Sequence, residues 1–125
     1  MKLIICILMM CCLFANKQEI LSVLDNYNHA FATKDYKSIN NNFIFPATFN
    51  LTDKTIIASN KIKLKLIYMK IRGELPEYYS YSKWDNIDLE IIDDSIAIVN
   101  AQFSRYKKDD SVFYSGFAIY HLRKI

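Results

Sequence analysis

The 125-residue sequence predicts an α+β domain in which helices on the N-terminal side close over a curved antiparallel sheet. Two observations carry this. From Trp84 to Arg123 the chain reads as three strands joined by two short polar turns. Ahead of them Ile20, Leu24, Tyr27 and Phe31 recur at offsets of four, seven and eleven, the apolar stripe of an amphipathic helix. A helical block over a curved sheet makes a cup, and a cup implies a bound apolar small molecule.

The N-terminus reads as a leader. Met1-Lys2 is followed by Leu3 to Phe14, twelve residues without charge or strong polar group, and then by Ala15-Asn16-Lys17. A short positive start, an apolar run and a small residue near its end describe a secretory signal peptide, so 1–15 is expected to be leader and 16–125 the folded domain. The run is shorter than the roughly 20 residues that span a bilayer, so no transmembrane segment is expected in the mature chain. Cleavage implies export to the periplasm or outside. Leu13 stands where a small residue is preferred before the cut, and an uncleaved chain would be cytoplasmic or membrane-associated.

Cys6, Cys11 and Cys12 all lie in this leader, which excludes disulfides and a thiolate nucleophile from the mature domain. The core must then come from apolar side chains, with eight Phe, nine Tyr and one Trp supplying much of the area. A formal charge of +3 is too small to argue for nucleic acid. No Gly-rich phosphate loop, nucleophile elbow or zinc motif is present, so no cofactor or metal is expected.

The elements follow in order. A helix covers residues 17–33, and Lys34-Asp35-Tyr36 breaks it. Asp35 is placed to cap a short second helix that reaches Asn41 and stops at Asn40-Asn41-Asn42. Residues 43–51 contain Pro46, so a strand there is an edge or is interrupted. Thr55 to Ala58 is a short β-prone run. Residues 59–72 alternate like a strand in part, but Ile62, Leu66, Met69 and Arg72, with Ser59 as cap and Gly73 as stop, favour a helix.

In the next strand, 84–92, Ile87, Leu89 and Ile91 are expected on one face with Asp85. After Asp93-Asp94-Ser95, Ala97, Val99, Ala101, Phe103 and Arg105 share a face against Asn100, Gln102 and Ser104. Residues 107–110 turn the chain again. The last strand is apolar on both sides, with Phe113, Phe117 and Ile119 on one and Val112, Tyr114, Ala118, Tyr120 and Leu122 on the other. Two apolar faces need two covers, so a homodimer through the sheet is expected.

This order resembles the nuclear transport factor 2-like superfamily, in its SnoaL-like branch. The resemblance covers about residues 17–125 and rests on residues 27–36 (YNHAFATKDY), Phe45-Pro46-Ala47, Leu75-Pro76-Glu77-Tyr78, Ala97 and Arg105-Tyr106. It implies a cone-shaped α+β barrel with an apolar pocket, often dimeric through its sheet. It also implies functions from isomerases, dehydratases and cyclases to binding modules. Such domains usually end in another strand, often opened by a Gly-Trp pair. Here only Lys124-Ile125 follow the last strand pattern. The final strand is therefore expected to be missing, by truncation or because a partner supplies it.

Five residues are candidates for a ligand site: Tyr27, Asp85, Phe103, Arg105 and His121. Tyr27 matches the helix-one tyrosine with which ketosteroid isomerases, as a family, stabilise an oxyanion. The same ungapped alignment puts Leu51 where their aspartate base would sit, and a leucine takes no proton. Asp85, if desolvated on an apolar face, would suit acid–base work, and Arg105 would pair with it or hold a ligand carboxylate. Tyr27 and Asp85 are thus the catalytic candidates, against a core tyrosine and a hydrated aspartate as the plainer alternatives. His121 shares a face with Phe117 and Ile119 and is a candidate for pointing inward, while His29 falls away from the stripe. Lys61, Lys63, Lys65 and Lys70 form a basic face open to solvent, an anionic membrane or an acidic partner. The reading is a binding or interaction domain without catalysis. An acid–base enzyme on an apolar substrate, and an interaction module using the sheet edge and lysine face, are its alternatives.

Overall fold

The computed structural model describes residues 2–124, with side-chain surroundings from residue 17 onward. The expected leader, 1–15, and its cysteines fall outside those described side chains. The chain runs α1 (Lys2–Thr33), α2 (Tyr36–Asn41), β1 (Ala47–Asn50), β2 (Thr55–Ala58), α3 (Lys61–Gly73), β3 (Tyr79–Ile91), β4 (Ile96–Lys107) and β5 (Val112–Arg123). β1 and β2 form a hairpin, and β3-β4-β5 form an antiparallel sheet in that order. The α+β class and the helices packed on a sheet are as expected. The closed cone is not: the described residues form two separate sheets, with β5 paired only to β4.

α1 stops where Lys34 enters the left-handed region at φ 59, which lets the Asp35 amide return to the Ala30 carbonyl at 2.8 Å. Asp35 caps α2 as expected. One of its carboxylate oxygens accepts from the Ser38 amide at 3.2 Å and the other from the Ser38 hydroxyl at 2.6 Å. The cap of α3 is one residue later than expected. Asn60, not Ser59, lies extended (φ −154, ψ 174) and accepts from the Lys63 amide at 2.9 Å.

The buried side of α3 also differs from the stripe that suggested the helix. Leu64 and Tyr68 are buried and Ile67 and Ile71 pack beside them, while Ile62, Leu66 and Met69 face solvent. Residues 61–72 thus carry two apolar stripes at helical spacing, and either one satisfies the periodicity.

β3 begins at Tyr79, earlier than expected, because Tyr79 and Tyr81 pair with Lys107 and Tyr106. Two irregularities then decide which way side chains point. Trp84 pairs with Phe103 and Asn86 with Gln102, leaving Asp85 as the extra residue of a bulge. Arg105 pairs with Tyr114 and Tyr106 with Val112, leaving Phe113 extra in the same way. Each inserted residue reverses the alternation on one side of it. Asp85 is therefore exposed rather than on the Ile87–Leu89–Ile91 face, and Phe113 turns into the core, away from Phe117 and Ile119.

The core has two clusters. Ile20 and Leu24 of α1 pack with Val99, Ala101, Trp84, Ile87, Leu89, Tyr120 and Leu122 on the inner face of the sheet. Ala30 and Phe31 pack with Ile39, Ala47, Ala58, Leu64, Tyr68 and Tyr79 between helices, hairpin and β3. Arg72 ties the second cluster to the end of α1. Its Nε donates to the Phe31 carbonyl at 3.0 Å and its Nη2 to the Ala32 carbonyl at 3.1 Å, while the guanidinium lies 4.5 Å from the Tyr79 ring centre. It thus gives charged donors to two carbonyls in the last turn of the helix.

Leu64→Ala is expected to cost about 2–5 kcal/mol of unfolding free energy, as a full burial with a residual cavity. Ile62→Ala, two residues away on the exposed stripe, should stay within about 0.5 kcal/mol. Urea melts followed by circular dichroism compare the two, and equal losses would contradict the helix orientation.

Candidate functional site

Tyr27 is the joint between the two clusters. Its ring meets Tyr68 and Tyr120 edge-on, each at 6.0 Å, and lies beside Phe31 at 6.3 Å. Its hydroxyl shares a 3.0 Å hydrogen bond with that of Tyr68. Burial, and then the neighbouring Tyr68, push its ionisation well above the usual tyrosine range. Tyr68 and Tyr120 are displaced in the same direction, chiefly by burial. Three neutral phenols thus stand together at the centre of the fold. α1 and β5 were read as packing elements without any sign that Tyr68 would join them, because α3 offered two stripes and the sequence does not choose between them.

Arg105 lies farther along the inner face of β4. Its guanidinium carbon is 4.9 Å from the Tyr114 ring centre, 5.3 Å from that of Phe103 and 5.9 Å from that of Phe31. The Nε is buried and donates to no group among the described residues, and the same holds for Nε1 of Trp84 on the adjacent strand. Among the described residues no carboxylate reaches Arg105 within ion-pair distance. Stacked rings occupy the faces of a guanidinium and leave its edge donors free for a planar acceptor.

Phe103 and Arg105 therefore stand where the sequence pattern put them, on the inner face. Asp85 does not join them. It accepts from the Ser104 hydroxyl at 2.5 Å, and that hydroxyl is 2.9 Å from the hydroxyl of Ser115. Ser104 alternates with Phe103 and Arg105 and belongs to the other face, so Asp85 and Tyr27 do not meet. His121 is exposed on the outer face with Ile119 and Phe117 rather than inward, since Tyr120 and Leu122 take the inner positions. His29 is exposed, as expected. Among the described residues no three His, Cys, Asp or Glu side chains gather as a metal site would require.

Two clefts open to solvent. One of about 460 Å³ lies along β3 and is lined by Asn28, His29, Lys83, Trp84 and Ile87 among others. The other, of about 410 Å³, lies between α2 and α3 and is lined by Lys34, Lys37, Lys61 and Lys65 with Asn40 and Asn41. The sequence marked Tyr27, Phe103 and Arg105 but missed Tyr68, Tyr114, Phe31 and Trp84 as their neighbours. Tyr114 was legible only as one apolar residue of a two-faced strand; its place beside Arg105 depends on the β4–β5 register.

Comparison with solved structures identifies the architecture. A protein of unknown function with a cystatin-like fold from Nostoc punctiforme superimposes with a TM-score of 0.73 at 15% identity, over 87% of this chain and 80% of that one. A ketosteroid isomerase-like protein from Erwinia carotovora atroseptica gives 0.60 at 15% identity, over 85% and 82%. The β subunit of a benzoate 1,2-dioxygenase from Burkholderia mallei gives 0.55 at 17% identity, over 85% and 77%. The chain has a nuclear transport factor 2-like fold. No family model matches the sequence, and no curated protein matches it.

The three phenols make a prediction about pH. A tyrosine whose ionisation is raised on folding contributes stability that is intact below about pH 10, where the unfolded chain ionises, and is lost as pH rises through the folded value. Urea midpoints are expected to hold to about pH 9 and then fall steeply, with a shallower fall for Tyr68→Phe. Ultraviolet titration should show these tyrosines ionising only as the protein unfolds. Ionisation of all nine tyrosines with the fold intact would contradict their burial.

Proposed function

We propose that this chain is a SnoaL-like binding domain that holds a small, flat organic anion on the inner face of its sheet, without transforming it. One observation carries the reading: Arg105 sits among Phe31, Phe103 and Tyr114 with a buried Nε that has no acceptor among the described residues. A conjugated carboxylate matches this chemistry. Its charged end takes the guanidinium edge in a planar, bidentate contact, and its apolar body continues the aromatic wall. Buried donors are costly when unmet, so a ligand that meets them gains by satisfying a group already desolvated.

Binding rather than turnover is favoured by the company each candidate keeps. The Tyr27 hydroxyl is engaged by Tyr68, and Asp85 by Ser104 on the other side of the sheet. The matching position for a base holds Leu51. An oxyanion donor without a partner to move the proton supplies only half of an acid–base pair.

The domain is proposed to act as a homodimer through the outer face of the sheet. Phe117 is 76% and Ile119 55% exposed there, and large exposed apolar side chains on a sheet face mark an interface. Phe117→Arg is expected to convert a dimer to a folded monomer in native mass spectrometry. A wild-type monomer would remove this reading.

The ligand reading is tested with 2-naphthoate, followed by Trp84 fluorescence and calorimetry. Binding is expected to weaken at least tenfold in Arg105→Leu, about 1.4 kcal/mol, and less in Arg105→Lys. Equal binding of the uncharged amide, or indifference to Arg105→Leu, would refute it.

A further inference from the structure

The exposed stripe of α3 is left unused by the core and by the proposed ligand site. Ile62, Leu66 and Met69 are 73%, 60% and 46% exposed and follow one another at offsets of four and three, so they form one ridge along the helix. Exposed lysines stand on both sides of it. At helical spacing Lys61 and Lys65 lie on one flank and Lys63 and Lys70 on the other. α3 contains no Asp or Glu, and among the described residues no carboxylate reaches these four lysines within ion-pair distance.

The positive surface continues beyond the helix. Lys61 and Lys65 also line the 410 Å³ cleft that holds Lys34 and Lys37. The carboxylate in that cleft, Asp35, has both oxygens committed to Ser38. An apolar ridge between cations, with a basic cleft at its side, is the pattern of a helix that lies in a membrane surface.

We propose that α3 docks on an anionic lipid surface, with Ile62, Leu66 and Met69 entering the acyl boundary and the flanking lysines meeting headgroup phosphates. Lysine stems are long enough to lie along the ridge while their ammonium groups stay at the charged level. A second copy of this chain is the wrong occupant, since it would bring one lysine-flanked ridge against another. An acidic protein with an apolar groove would have to match both the ridge and the lysines on its two flanks in shape and register. Fluid headgroups and acyl chains require neither register nor shape.

The test is co-sedimentation of the full chain with phosphatidylcholine vesicles, with and without about 30 mol% phosphatidylglycerol. Binding to the anionic vesicles is expected to fall at least tenfold in the triple variant Ile62→Ser, Leu66→Ser, Met69→Ser, and again when the four lysines are changed to Gln. It should also weaken as salt is raised to about 0.5 M. All the substituted side chains are exposed, and unchanged circular dichroism checks the fold. Independently, Leu66→Trp should gain a blue-shifted emission component on anionic vesicles but not on neutral ones. Equal binding by wild type and both variants would overturn the proposal and assign membrane affinity to the apolar N-terminal run. Equal binding to neutral vesicles would also overturn it. So would a lipid-free dimer abolished by the triple variant, or capture by polyglutamate without vesicle binding.

Discussion

The fold depends on the last two turns of α1 being held from two sides at once. Tyr27 packs against Tyr120 of the sheet and bonds to Tyr68 of α3, so a single side chain joins the two core clusters. A phenol can do this because its ring supplies area while its hydroxyl, once buried, requires a partner. One turn on, Arg72 reaches back from α3 to the Phe31 and Ala32 carbonyls. Charge-assisted bonds at a helix C-terminus answer both its terminal carbonyls and the helix dipole. These links add to the packing of Leu64 and Tyr68 in fixing α3 relative to the sheet.

That constraint explains why the interior is full near Tyr27 and incomplete near Arg105. Around Tyr27 the hydroxyls face one another and the rings interlock. Toward β5 the wall thins, because β5 is an edge strand among the described residues, and Tyr114 remains 48% exposed. Arg105 meets rings there but, among the described residues, no acceptor for its Nε. The chemistry a site needs and the packing a core needs are thus separated along the inner face of the sheet.

The remaining surfaces each carry an apolar group that folding did not use. The outer sheet face presents Phe117 and Ile119, and α3 presents Ile62, Leu66 and Met69. Scattered exposed apolar residues are ordinary, but aligned ones on a regular element share a direction and hence a common cover. The two patches differ in their borders. Asn100 and Gln102 pair with Ile119 and Phe117 across the sheet, whereas lysines edge the ridge, so the same apolar character points to different neighbours.

Much of this was already written in the sequence. The end of α1, the Asp35 cap, the hairpin strand at 55–58 and the inward set Ala97 to Arg105 follow from periodicity and turn chemistry, which are local. Phe103 and Arg105 were legible because uninterrupted alternation in β4 fixes their side. Asp85 and Phe113 were not, since an inserted bulge residue reverses a face without altering composition, and only pairing with the next strand reveals it. His121 was not because β5 is apolar on both faces, and only its register with β4 says which of them is inner. Nor could α3 declare which of two stripes it buries. Helical period is a property of the segment, but the choice of face depends on what α1 and the hairpin place against it. Local chemistry determined the elements; contacts between segments distant in sequence decided which side of each became core, site or surface.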